Sequence, residues 1–212
     1  MSFFRGIAYP NIDEDNDIPV VEFLSACDAI PIVFDSLGRL FKPLKSDVAN
    51  NINILRKAVE KDSEQLKTVK SLLAKDIRNN ATKQDPSVTL SLCWLNRSCM
   101  YIYVMLALFV ENEQKKRKSP PEETSTTFHE FARQAYEQTL KKHHGTPAKL
   151  LFKAISFAIN HDVFVRILLN GATDEVLFQD LEVYLNSLRP VIETICSYYR
   201  ELNLADEHFS FK

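Results

Sequence analysis

Residues 87–110 read SVTLSLCWLNRSCMYIYVMLALFV, with Arg97 as the single charge and apolar residues on every face from Met100 onward. By length alone such a helix spans a bilayer. Against that, Arg97 and Asn96 lie near its middle, where an arginine costs about 2.5–3.5 kcal/mol on insertion scales, and no second comparable segment exists. The stretch therefore predicts a central helix wrapped by others, the usual setting of a helix that is hydrophobic all round.

Outward from this helix the chain keeps the same period. Only four of 212 residues are glycine, and apolar residues recur at three and four rather than two, which predicts an all-α protein without a sheet. Asp17-Ile18-Pro19 opens a helix that runs to Gly38 with a kink at Pro31. Pro43 introduces the next, whose core stripe is Val48, Ile52, Leu55 and Val59, with Asp47 and Asn51 on the adjacent strip. Asp62-Ser63 is read as the cap of a third helix, with Leu66, Val69, Leu72, Leu73 and Ile77 inward. Asp85-Pro86 is read as cap and first position of the central one.

Residues 111–123, with Lys115, Lys116, Arg117, Lys118, Pro120 and Pro121, read as a polar, proline-broken and mobile connection. Thr126 or Thr127 starts a fifth helix through Phe128, Phe131, Ala135, Tyr136 and Leu140 to Gly145. Thr146-Pro147 starts a sixth reaching Ile159, and a seventh ends at Asn170-Gly171. Thr173 starts the last, which continues past Pro190. The expectation is a single domain of about eight helices over residues 17–212, preceded by a loose, flexible acidic tail, residues 1–16. Phe209 and Phe211 stand at the other terminus.

A net charge of −2 and a pI near 6.2 supply no overall pull toward nucleic acid or strongly anionic membrane. Cys27, Cys93, Cys99 and Cys196 lie mostly in apolar runs without CxxC spacing, and the first six residues lack the apolar core of a signal peptide; this predicts a cytoplasmic protein with buried, reduced thiols. His143-His144 has no partners at metal spacing, and there is no GxSxG elbow or recognisable Cys/His pair, so neither a metal site nor hydrolase chemistry is expected.

What remains is a constellation suited to an amphiphile. The lone Trp94 can cover the apolar face of a sugar, while Asp47, Asn51 and His144 offer a carboxylate, a carboxamide and an imidazole for directional hydrogen bonds, all beside a long apolar helix. Each has a plainer alternative: core packing for Trp94, a helix-terminal carboxylate for Asp47, a helix cap for His144, and a structural ion pair for Arg97.

Four separated motifs carry a resemblance. Phe34-Asp35-Ser36-Leu37-Gly38, then Pro43-Leu44-Lys45-Ser46-Asp47-Val48-Ala49-Asn50-Asn51-Ile52, then Leu92-Cys93-Trp94-Leu95-Asn96-Arg97, and Leu140-Lys141-Lys142-His143-His144-Gly145 are similar in order and spacing to the glycolipid transfer protein family, over nearly the whole chain from about Pro19. The resemblance implies a two-layer all-α sandwich that encloses one sphingolipid, headgroup at the surface and chains in a collapsible apolar pocket. By it, Asp47 accepts from the ceramide amide and a sugar hydroxyl, Asn51 bonds the sugar, Trp94 stacks under the ring, and His144 donates to the amide carbonyl. Leu90 and Phe152 line the chain pocket.

It also implies a glycosphingolipid ligand, transient membrane contact and no cofactor or bond chemistry; the charge balance predicts no nucleic-acid partner, and a monomer is the default expectation. Two positions depart from the family pattern: Ile54 stands where glycolipid binders usually have lysine, and Thr146 where a membrane-docking tryptophan is usual. Ceramide 1-phosphate carriers of the same superfamily put cations where Asn51 and Trp94 stand, so the retained pair favours a neutral sugar, while Arg97, as an accessory headgroup residue, keeps phosphate open. A sphingolipid sensor or interaction protein with little transfer activity is the other alternative.

Overall fold

A computed structural model describes residues 1–118, 127–158 and 160–204. Among them the chain forms α1 (Val20–Cys27), α2 (Ala29–Ser36), a 3-10 turn (Arg39–Phe41), α3 (Lys42–Glu60), α4 (Val69–Arg78) and α5 (Val88–Lys118). There follow α6 (Phe128–Gln138), a second 3-10 turn (Lys141–His143), α7 (Thr146–Phe157), α8 (His161–Leu169) and α9 (Asp174–Glu201). The described residues hold no strand, only an isolated antiparallel bridge between Pro19 and Thr68.

The central helix is where the sequence puts it. Helix α5 contacts α3, α4, α6 and α9, and most of its apolar window is buried inside the protein. Asn96 at its middle is absorbed rather than exposed: it is fully buried and its Nδ2 donates to the Ile192 carbonyl and to Cys196 Sγ on α9, both at 3.4 Å. The Tyr199 hydroxyl donates to the Thr89 carbonyl at 2.6 Å. A buried polar group is tolerated on these terms, when a neighbouring element supplies its partner.

Several boundaries fall elsewhere than the sequence reading put them. The expected first helix is two, broken at Asp28, which leaves Pro31 in the first turn of α2, where its missing N–H costs nothing. Helix α4 starts at Thr68 rather than Asp62-Ser63. Thr68 Oγ1 accepts from Ser71 N–H and Ser71 Oγ from Thr68 N–H, a reciprocal cap that outcompetes the earlier candidate. Leu66 is buried ahead of the helix, and Ile77 is exposed.

Ser87, not Asp85, closes the start of α5 by accepting from Leu90 N–H at 3.0 Å. Residues 111–118, expected in a loop, extend α5, aided by Lys115–Glu111 and Lys116–Glu113 pairs at helical spacing. At α6 the Glu130 carboxylate accepts from Thr127 N–H at 2.7 Å, and at α7 Gly145 takes the cap position expected of Thr146. The expectations for Pro120, Pro121, Thr126, Ile159, Phe209 and Phe211 lie outside the described residues.

The N-terminal segment is a correction. Residues 1–16 are docked rather than loose. Phe4 and Tyr9 are buried, Phe3 N–H donates to the Leu168 carbonyl at 2.9 Å, and Tyr9 N–H to Ser187 Oγ at 3.0 Å. The Phe4 ring lies 4.6 Å from that of Tyr184. Three aromatics in nine residues bury enough surface to offset the entropy of ordering the segment, a term the acidic stretch after them obscures. All four cysteines are buried free thiols, with Cys27 and Cys99 Sγ 4.0 Å apart.

Candidate functional site

Three elements frame an open cavity of about 230 Å³: the start of α3, the middle of α5, and the junction from the second 3-10 turn into α7. Asp47 reaches it from α3, Trp94 from α5, His144 from the junction and Phe152 from α7, so these four residues meet although 105 positions separate the outermost two. Phe34, Leu44, Val48, Leu140 and Leu151 make most of the remaining wall apolar.

The junction holds His144 by sequence-local means. The 3-10 turn carries the chain out of α6, His144 itself is extended, and Gly145 with Pro147 starts α7 directly behind it. Its Nδ1 lies 3.2 Å from the Tyr136 hydroxyl, and its ring is roughly parallel to that of Trp94 at 5.7 Å. With Nδ1 accepting from Tyr136, the neutral ring carries its proton on Nε2 and has a donor to offer. Burial, and then the nearby Arg97 and Lys149 charges, hold the imidazole pKa below its ordinary value. Partial burial raises the Asp47 carboxyl above its ordinary value, although the residue as a whole is exposed.

Trp94 is half-buried. Besides His144 it meets His143 edge-on at 6.5 Å, and the buried Arg97 guanidinium lies 4.7 Å from its ring centre. That separation is within cation–π range. Phe152 stacks on Tyr136 at 4.3 Å and meets Tyr101 edge-on, which fixes the inner wall.

Not every sequence candidate reaches the cavity. Asn51 is buried one turn along α3 and its Nδ2 donates back to the Asp47 carbonyl at 3.0 Å; it lies behind Asp47 rather than on the wall. Leu90, one turn before Trp94, is partly buried but does not line it. Arg97 acts on the site through Trp94 and through its field at His144. At the first departure from the family pattern Ile54 is half-buried, and the neighbouring Arg56 is taken by Asp28 at 2.8 Å. At the second, Thr146 is exposed. Sequence reasoning placed Tyr136 in the core and missed its hold on His144; eight positions separate the two, and the turn between them erases any helical register.

A separate narrow seam of about 10 Å³ lies among Phe4, Ala29, Val33, Ile102, Met105, Phe164 and Tyr184 and is almost wholly apolar. A carboxylate, an imidazole and aromatic rings on otherwise apolar walls have the chemistry that an amphiphile requires.

Similarity to known proteins narrows that class. The family described as Glycolipid transfer protein (GLTP) matches residues 18–166. A glycolipid transfer protein from Danio rerio is 27% identical over 200 residues, covering 92% of this chain and 93% of that one. The GLTP-fold structure that shows how FAPP2 selects simple glycosphingolipids superposes with a TM-score of 0.84 at 21% identity, covering 98% of this chain and 99% of that chain. Mouse ceramide-1-phosphate transfer protein superposes at 0.75 with 17% identity, over 96% and 95%. The chain belongs to the glycolipid transfer protein family, and its all-α architecture is the GLTP fold. Members of this family are lipid transfer proteins and not enzymes.

Proposed function

We propose that this protein is a cytoplasmic carrier that takes one glycosylceramide from the surface of a membrane and releases it, chemically unchanged, to another. The observation that carries this reading is the convergence of Asp47, Trp94 and His144 on one cavity whose other walls are largely apolar. An amide group has one donor and one acceptor; the Asp47 carboxylate takes the first and His144 Nε2–H the second, so a ceramide amide enters a partly desolvated site with both groups paired.

The free Trp94 surface then faces the sugar, and Asn51 holds the α3 backbone beneath Asp47, or turns outward to the sugar when ligand is bound. The two chains open the seam beside α5. Their transfer is close to neutral, since a buried methylene is worth about 0.8 kcal/mol either in lipid or in a matching apolar wall. Headgroup contacts therefore set selectivity. The protein works as a monomer in transient contact with the membrane, without cofactor, metal or nucleic acid.

The buried Arg97 supports a second reading, ceramide 1-phosphate, because a guanidinium is the donor that a phosphate requires. Its place over the Trp94 ring favours the sugar reading: the buried charge there is engaged with an aromatic face instead of standing open to an anion. Transfer assays between vesicles with galactosyl-, glucosyl- and lactosylceramide, ceramide 1-phosphate and phosphatidylcholine, with native mass spectrometry on the same protein, test this. Selective movement of the glycosylceramides is expected. Preference for the phosphate lipid moves the headgroup role to Arg97, and binding without movement makes the protein a sensor.

A further inference from the structure

Helices α6 and α7 enclose a second groove, of about 270 Å³, on the far side of the Tyr136–Phe152 stack from the Trp94 cavity. Its character is different. Arg133 and Lys141 from the α6 side and Lys149 and Lys153 from α7 line it, against the single carboxylate of Glu137. That carboxylate is already shared, 3.0 Å from Arg133 and 3.4 Å from Lys141, while neither Lys149 nor Lys153 is paired with a carboxylate among the described residues. A chain of net charge −2 thus concentrates positive charge in one groove.

The floor is apolar. Phe157 is 65% exposed, more than any other described phenylalanine, and is held in place by His129 at 3.9 Å between nearly parallel rings, with His129 Nδ1 fixed 3.1 Å from Ser156 Oγ. Exposed Leu150 lies on the same helix, α7. An inorganic anion satisfies the lysines and leaves this apolar surface wet; a neutral lipid covers it and leaves the lysines unanswered. A molecule with a phosphate and an alkyl chain satisfies both.

We propose that the α6–α7 groove is a second lipid site that takes the phosphate-bearing headgroup and the first chain carbons of an anionic glycerophospholipid at the membrane surface. Lys149 and Lys153 meet the phosphate, and the chain lies along Phe157 toward Phe152. The site stands apart from the sphingolipid cavity and does not depend on which headgroup that cavity accepts. It nevertheless shares one wall with it, Phe152, which lines both, and Tyr136 lines the groove while its hydroxyl reaches His144. It also gives the protein a hold on membranes where Thr146 supplies no indole anchor.

The test uses the full chain and vesicles without sphingolipid. Cosedimentation with phosphatidylcholine vesicles is compared with that for phosphatidylcholine doped with phosphatidate, and native mass spectrometry with short-chain phosphatidate reads single-molecule binding. Doped vesicles are expected to bind far more strongly, with an affinity that falls as salt screens the lysines. The K149Q/K153Q variant is expected to bind them about thirtyfold more weakly, from the loss of two surface cations.

F157S, which keeps every charge, is expected to lose the retained phosphatidate in the mass spectrum. Far-ultraviolet circular dichroism checks both variants, and F157S carries the test alone should the double variant not fold. Equal binding to both vesicles, unchanged binding by either folded variant, or displacement of the short-chain lipid by equimolar inorganic phosphate overturns the proposal. Loss of glycosylceramide transfer with this site intact overturns only the reading of the cavity.

Discussion

At the scale of single residues the cavity is a set of matched donors and acceptors, and each is separately testable. Trp94→Ala removes the aromatic platform from a half-buried position. Glycosylceramide transfer should fall to background while helicity stays near that of the unsubstituted protein, and retention of normal transfer returns Trp94 to a packing role. Asp47→Val removes the acceptor that the proposed function assigns to the amide and a sugar hydroxyl. The bound-lipid profile read by mass spectrometry should shift to other headgroups, and an unchanged profile refutes the assigned hydrogen bonds. His144 gives a pH signature. Its folded-state pKa is lowered, so below the ordinary value near 6.5 the unfolded chain takes up a proton that the folded one resists. The contribution is thus present above that pH and lost as pH falls through 6.5 toward the folded value; thermal melts from pH 7.5 to 5 should show a steeper loss for the unsubstituted protein than for His144→Gln. The sequence made these three residues legible because Asp47, Trp94 and His144 are few, polar or aromatic, and set in apolar surroundings. It hid Tyr136, which looks like any other member of an apolar stripe, and it did not reveal that Asn51 turns back on its own helix or that Leu90 stops a turn short.

At the scale of elements, what was legible is what depends on period. The 3.6-residue pattern located every helix core, including the central α5, because burial selects apolar residues directly. Boundaries depend on local hydrogen-bond competition, in which several residues near each end qualify, and here Thr68 displaced Asp62, Ser87 displaced Asp85, and side-chain pairs carried α5 past residue 110. The start of α5 also depends on a partner no local reading supplies: buried Asp76 on α4 accepts from both Thr89 N–H at 2.8 Å and Thr89 Oγ1 at 2.9 Å. Asp76→Ala leaves those donors buried without acceptor and should cost about 2–3 kcal/mol, seen in urea unfolding, whereas Asp76→Asn, which keeps one acceptor oxygen, should recover most of it. The docked N-terminal segment was illegible for the opposite reason, since its anchors are isolated aromatics without period. Phe4→Ala should cost about 3 kcal/mol, the low end for a buried phenylalanine because a terminal segment can lift away, and an effect within error would mean that the segment contributes nothing to the core.

At the scale of the whole molecule, the proposed function assigns headgroup and chain to different parts of the fold, and the two should separate experimentally. The cavity bounded by α3, α5 and α7 is open at about 230 Å³, while the seam bounded by α2, α5, α8 and α9 is closed to about 10 Å³, far too little for even a few methylenes. On that reading a lipid chain enters the seam only by moving helices apart, and the cost of that motion is recovered from new apolar contacts made along the chain. Added bulk in the seam opposes the chain without touching any headgroup contact. Ala29, buried at the start of α2 on the seam wall, is the position to fill. Ala29→Leu should cost about 1–3 kcal/mol in the ligand-free protein through overpacking. Mass spectrometry of the loaded protein should show long-chain glycosylceramides displaced by short-chain ones, with the headgroup preference unchanged. If chain length and headgroup preference shift together, the two regions are one cooperative unit; if neither shifts while the variant folds, the chains take a path other than the seam, and the apolar interior of this fold serves stability alone.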